Sequence, residues 1–147
     1  MGKARLTGFA ALMAAGVLAA AAVAATRTST VSLRTTAVGK VLVAANGHTL
    51  YLFTADRGKK STCYGQCAGY WPPLFAAKPT IGAGLKASLL GTTKRKDGKL
   101  QVTYAGHPLY FFAQDKKAGQ VNGQGFVHFG GSWWVVSAAG TRITSKP

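Results

Sequence analysis

Two stretches of the chain carry the same register of apolar and polar positions. Residues 39–56, GKVLVAANGHTLYLFTAD, align without gaps on residues 98–115, GKLQVTYAGHPLYFFAQD, and nine of the eighteen positions are identical. Each copy reads as a β-hairpin: a short strand with Val41 and Val43, or Leu100 and Val102, then a turn carrying Gly47 or Gly106, then a β-rich run through Tyr and Phe. Period-two alternation sets Tyr51 and Phe53 on one face against Leu50 and Leu52 on the other, and likewise Tyr110 and Phe112 against Leu109 and Phe111. Both faces are apolar, which predicts central strands buried on both sides. Asn46-Gly47 suits a type I′ turn and Ala105-Gly106 does not. A geometry shared by both copies would therefore require positive φ at the glycine alone, as in a type II or bulged turn, and Gly47→Ala would act through backbone strain.

The flanks divide the rest. Residues 1–25 place Lys3 and Arg5 before an apolar run ending at Ala25, a secretory signal pattern with small residues at the cleavage positions. Retained, the run would approach the ~20 residues of a membrane span; its Ala and Gly content favours cleavage, leaving no stable span. Residues 26–38 form a Thr- and Ser-containing linker or a loosely attached first strand, 39–140 a single domain of two repeats (39–97 and 98–140), and 141–147 a tail. Trp71 before Pro72-Pro73, and Trp133-Trp134 in the closing β-rich run, are expected anchors. One helical turn is expected around Leu85 to Leu90. The fold class is all-β, a compact barrel or sandwich with little helix outside the signal.

Charge changes the picture of the surface. The chain has a formal net charge of +15, with only three acidic residues. Such a surface attracts polyanions. For an exported chain these are anionic envelope polymers rather than nucleic acid.

Candidate chemistry is sparse. Cys63 and Cys67 predict a disulfide in an oxidising compartment. The sharper alternative is copper or zinc, or redox work, through the two thiolates with His128, His48 or His107. Asp56 and Asp115 end equivalent strands, where an Asx-turn accepting the next backbone amides is the simplest role. As a carboxylate pair they could support hydrolysis, but their flanking lysines, Lys59, Lys60, Lys116 and Lys117, are expected to hold both pKa values down, against the need for a general acid. No nucleophile-elbow, zinc-protease or phosphate-loop motif occurs, so catalysis and a resident cofactor are not expected.

Tyr51-Leu52-Phe53-Thr54-Ala55-Asp56 and Tyr110-Phe111-Phe112-Ala113-Gln114-Asp115 both fit Y-x-[FWY]-x-x-D, and Cys63, Cys67, Trp71 to Leu74, and Asp97 to Phe112 fit the surrounding pattern. At these residues the chain resembles the secreted repeat proteins of unknown function, described as predicted lipoproteins. The resemblance implies extracytoplasmic location and repeat architecture, and supplies no catalytic residues. Many of those relatives carry a lipid-bearing Cys at the signal cleavage site; the cysteines here lie elsewhere, so lipid anchoring is not expected. The functional expectation is an exported, non-catalytic binding or interaction protein of the cell envelope.

Overall fold

The computed structural model describes Gly2 and residues 28–147, so the expected signal segment and its cleavage site lie outside the described residues. Eight strands dominate: β1 (Val31–Thr36), β2 (Gly39–Ala44), β3 (Tyr51–Phe53), β4 (Leu90–Lys94), β5 (Leu100–Tyr104), β6 (His107–Pro108), β7 (Phe126–His128) and β8 (Gly131–Val135). They form three antiparallel sheets, β1-β2, β3-β8-β7 and β4-β5-β6. The result is sandwich-like and not a closed barrel. Helix is confined to α1 (Gln66–Tyr70) and a 3₁₀ turn at Ala87–Leu89.

The sheets are joined at the centre by the two motif tyrosines. The Tyr51 amide donates to the Tyr110 carbonyl at 2.8 Å and the Tyr110 amide to the Tyr51 carbonyl at 3.0 Å, so equivalent residues of the two repeats pair face to face. On the outer sides Tyr51 lies opposite Val135 and Tyr110 opposite Pro73. A local twofold relation thus runs between Tyr51 and Tyr110. The alternation seen in the sequence decides what lies on either side. Tyr51, Phe53, Tyr110 and Phe112 enter one apolar cluster with Trp71 and Trp133, while Leu50, Leu52 and Leu109 enter a second with Leu42, Val102 and Tyr104.

In the first cluster four rings stack in series across the twofold. Phe53 lies on Trp133 (centroids 4.0 Å, interplanar 7°), Trp133 on Trp71 (4.0 Å, 3°), and Trp71 on Phe112 (4.2 Å, 23°). Tyr51 and Tyr110 meet Trp71 and Trp133 edge-on at 5.4 and 5.1 Å. Aromatic contacts of this kind contribute about 0.5–1.5 kcal/mol each beyond the area they bury. The tryptophan of each repeat therefore packs on the phenylalanine of the other.

The hairpins differ in a way the sequence alignment hides. In the first repeat the Ala44 amide donates to the His48 carbonyl, enclosing a three-residue loop in which Gly47 has φ 81°. In the second, Tyr104 pairs directly with His107 around Ala105-Gly106, with φ 50° and 80°, the signature of a type I′ turn. The expected shared geometry is thus overturned: Ala-Gly, not Asn-Gly, makes the type I′ turn. Ala105 is held there because its amide donates to the Leu89 carbonyl at 2.8 Å and its methyl seats against Gly140, where no side chain has room. Asn46 instead uses its Oδ1 to accept the His48 amide at 3.1 Å. The missing loop residue slips the register by one, which turns alternate side chains to the other face. Val43 enters the first cluster, but its aligned partner Val102 enters the second, and Gln101 becomes fully buried.

Val31–Thr36, assigned from sequence to a linker or loose first strand, is a full strand with six register pairs to β2. Helix α1 was not expected; at five residues it is too short to leave a periodic signal. The helical turn expected around Leu85 to Leu90 is the 3₁₀ turn.

Gly47 and Gly106 make a matched test. Both have positive φ, but a Cβ at Gly47 would lie 2.9 Å from the Ala118 Cβ, whereas one at Gly106 meets nothing within 4 Å. Gly106→Ala is expected to cost about 1 kcal/mol of backbone strain and Gly47→Ala distinctly more. Denaturant midpoints of the two variants check the order; equal losses would show that strain alone operates at both turns.

Candidate functional site

The polar atoms of the repeated motif are paired across the twofold rather than within each copy. The Tyr51 hydroxyl donates to Asp115 Oδ2 at 2.6 Å, and the Tyr110 hydroxyl donates to Asp56 Oδ2 at 2.8 Å. Each aspartate closes the loop that follows it with its other oxygen. Asp56 Oδ1 accepts the Thr62 amide at 2.8 Å and Asp115 Oδ1 accepts the Asn122 amide at 2.9 Å. The expected acceptor role holds in kind but not in reach: the amides lie six and seven residues on, not next in the chain.

The electrostatics correct a second expectation. Lys59, Lys60, Lys116 and Lys117 are all exposed, and burial dominates over them. Desolvation pushes the carboxyls of Asp56 and Asp115 above the ordinary aspartate range, against the lowering effect of their hydrogen bonds and of nearby Arg95 and His48. Burial likewise drives the phenols of Tyr51 and Tyr110 far above their ordinary range, and the adjoining carboxylates add to it. The raised carboxyls remove the sequence-based objection to general-acid chemistry. A structural one replaces it, because both oxygens of each carboxylate already accept hydrogen bonds.

A buried network extends one of the two pairs. The Tyr110 hydroxyl bonds Ser61 Oγ at 2.7 Å, and the Arg95 guanidinium donates to Ser61 Oγ and Gln101 Oε1, each at 2.8 Å, and to the Cys63 carbonyl at 2.6 Å. Gln101 Nε2 donates onward to the Leu109 carbonyl at 2.9 Å. Arg95 also lies 4.2 Å over the Tyr64 ring. Sequence reasoning missed Arg95, Ser61 and Gln101. A glutamine between Leu100 and Val102, where the first repeat has Leu42, was the available signal, since a buried amide demands partners.

The remaining candidates lie apart. Cys63 and Cys67 are joined in a buried disulfide with a Cα separation of 5.2 Å, so their thiolates are not free for a metal. Among the described residues no three His, Cys, Asp or Glu side chains gather in a metal-binding group. His48 sits after its turn, close enough for its charge to act on Asp115. His107 is half-buried and its pKa is lowered by desolvation. His128 packs 3.8 Å from Phe129 and 5.4 Å from Tyr70. Trp134 pairs with Leu52 across β8 and β3, and Arg142 lies 5.8 Å from its ring. Tyr70, Phe75 and Phe126 are exposed aromatics.

One open cleft of about 590 Å³ brings four of the sequence candidates together, Phe53, Asp56, Gly106 and His107, with Lys59, Thr141 and Arg142 around them and Leu52 in its apolar wall. Its size is that of a small-molecule site.

The raised carboxyl of Asp115 gives a signed expectation. The folded chain holds that proton more tightly than the unfolded chain, so this contribution to stability is complete below the ordinary aspartate range, about 3.9, and is lost as pH rises through the raised value. The stability advantage of the parent over Asp115→Asn should therefore be greatest in acid and shrink toward neutrality. Denaturant midpoints measured from pH 3 to pH 7 check it. An advantage that grows with pH would mean that the Tyr51 hydrogen bond outweighs burial.

A family model described as a secreted repeat of unknown function matches residues 32–75 and 91–137, and these two matches fall on the two units related by the twofold. No curated protein and no solved structure matches the chain. Among the described residues no helix is long and apolar enough to cross a membrane. With more than half its length matched as two consecutive units, the chain belongs to the family of secreted repeats of unknown function.

Proposed function

We propose that this secreted repeat protein is a non-catalytic binding module of the cell envelope whose basic exterior engages an anionic polymer. The observation that carries this reading is the segregation of charge. Of three acidic residues, Asp115 is buried and Asp56 is half-buried, each held by a tyrosine of the opposite repeat, and only Asp97 is exposed. The lysines that follow the motif aspartates, Lys59, Lys60, Lys116 and Lys117, all face solvent, as do Lys94, Lys96 and Lys99. Negative charge is thus spent on holding the repeats together and positive charge is left outside. A surface so unbalanced attracts a polyanion at long range.

The engagement of the motif carboxylates and of the two cysteines within the fold supports a binding rather than a catalytic reading. The two motif carboxylates have their oxygens occupied, and the two thiols are oxidised. What the arrangement supplies is a stiff scaffold presenting cations.

Dextran sulfate serves as the probe. Its affinity, measured by fluorescence anisotropy, is expected to fall at least about tenfold between 0.1 M and 1 M NaCl, as screening shortens the Debye length from about 10 Å to about 3 Å. Replacing Lys60, Lys116 and Lys117 together by Gln should weaken it further at low salt. Binding that persists undiminished at 1 M NaCl would contradict a charge-driven contact.

A further inference from the structure

The twofold relation is broken at the two hairpin turns, and the break leaves one cleft filled and its twin open. On the filled side the loop after Asp115 reaches across to the first repeat's turn. The Gly119 amide donates to the Gly47 carbonyl at 3.0 Å, and the Ala118 methyl lies so close to Gly47 that a Cβ there would be 2.9 Å away. Arg34 covers the same spot: its Nη1 would lie 3.2 Å from a Cβ at Gly47 and its Nε 2.8 Å from one at Gly119.

On the open side the equivalent loop does not make that reach. Arg57 and Lys60 exchange backbone hydrogen bonds of 3.0 and 3.1 Å, folding the loop back on itself around Gly58-Lys59. The second repeat's turn is correspondingly bare. A Cβ at Gly106 or at Gly58 would meet nothing within 4 Å, and no backbone amide of the described residues donates to the Gly106 carbonyl. The vacancy is the cleft of about 590 Å³ lined by Lys59, Gly106, His107, Thr141 and Arg142.

The filled twin shows what kind of group suits such a place: a stretch of backbone with a methyl side chain, its amide donated to a turn-glycine carbonyl. The open cleft adds two exposed cations from different loops, Lys59 and Arg142. Its one carboxylate, Asp56, has its oxygens held by Tyr110 and Thr62, so it is already compensated within the wall. We infer that this cleft binds a short peptide of small residues ending in a free carboxylate, with a ligand amide on the Gly106 carbonyl, its methyl groups against the apolar wall, and its carboxylate between Lys59 and Arg142. The site is a built pocket with a preference for one chemical end group, which goes beyond attraction of a polymer to the basic exterior and does not depend on it.

N-acetyl-alanyl-alanine, its C-terminal amide as the uncharged counterpart, and the ¹⁵N-labelled full chain form the test. Titration followed by amide chemical shifts is expected to move Gly106, His107 and Thr141 while leaving Gly47 in place, with saturation below about 10 mM. The amide counterpart should bind at least about tenfold more weakly, and so should the acid to Lys59→Ala/Arg142→Ala, because the charge-assisted contacts are then lost. Gly106→Val, which fills the bare turn, should abolish the shifts at His107 and Thr141. If that variant does not fold, the Lys59→Ala/Arg142→Ala protein decides the matter alone, since both side chains are exposed. No saturable shift at Gly106, equal affinity for acid and amide, or unchanged binding to the double variant would each overturn the inference. Shifts dispersed over the lysines of the surface would also overturn it, and would speak instead for general charge attraction. Dextran sulfate binding is read separately, so either result can fail without the other.

Discussion

The structure depends on a crossed pair of hydrogen bonds, one buried and one partly buried. Each motif tyrosine gives its backbone to its twin and its hydroxyl to the aspartate of the other repeat. A hydroxyl or carboxylate taken from water without a partner costs on the order of several kcal/mol. Neither repeat can avoid that cost alone, because the partner for its tyrosine lies in the other copy. The same crossing recurs in the apolar interior, where Phe53 stacks on Trp133 and Phe112 on Trp71. Polar satisfaction and aromatic packing therefore both require two repeats, which explains why the motif occurs as a pair in one chain.

From that constraint follows the separation of interior from exterior. The motif aspartates are drawn inward, and burial raises their carboxyls above the ordinary range. The exposed surface is left with cations and little to balance them. The family name carries no activity, and the motif residues, which would otherwise be read as a site, serve as internal fasteners. Function has to be sought where the two halves differ. The one-residue difference between the hairpins and the different courses of the loops after Asp56 and Asp115 break the symmetry, and the open cleft lies at that break.

Much of this was legible in the sequence, for identifiable reasons. Period-two alternation placed Tyr51 and Phe53 opposite Leu50 and Leu52, and the two apolar clusters divide along that line. The Cys63–Cys67 disulfide followed from the presence of two cysteines in a chain read as exported. The crossing was not legible, because periodicity tells which face a side chain takes and not which copy supplies its partner. The turns were misread because Asn46-Gly47 has the local preference for type I′, whereas packing of Ala105 on Gly140 and the Leu89 hydrogen bond decide the second turn. The aspartate pKa values were misjudged because nearness in sequence to Lys59, Lys60, Lys116 and Lys117 says nothing of depth. Arg95 sits between Lys94 and Lys96 with nothing in the sequence to set it apart, and only its burial reveals the links to Ser61, Gln101 and the Cys63 carbonyl.

Double-mutant cycles between Tyr→Phe and Asp→Asn substitutions at the four motif positions test the crossed arrangement most directly. Coupling of about 1–3 kcal/mol is expected for Tyr51 with Asp115 and for Tyr110 with Asp56, and less than about 0.5 kcal/mol for Tyr51 with Asp56 and for Tyr110 with Asp115. Strong coupling within each copy, with none across the copies, would contradict the account.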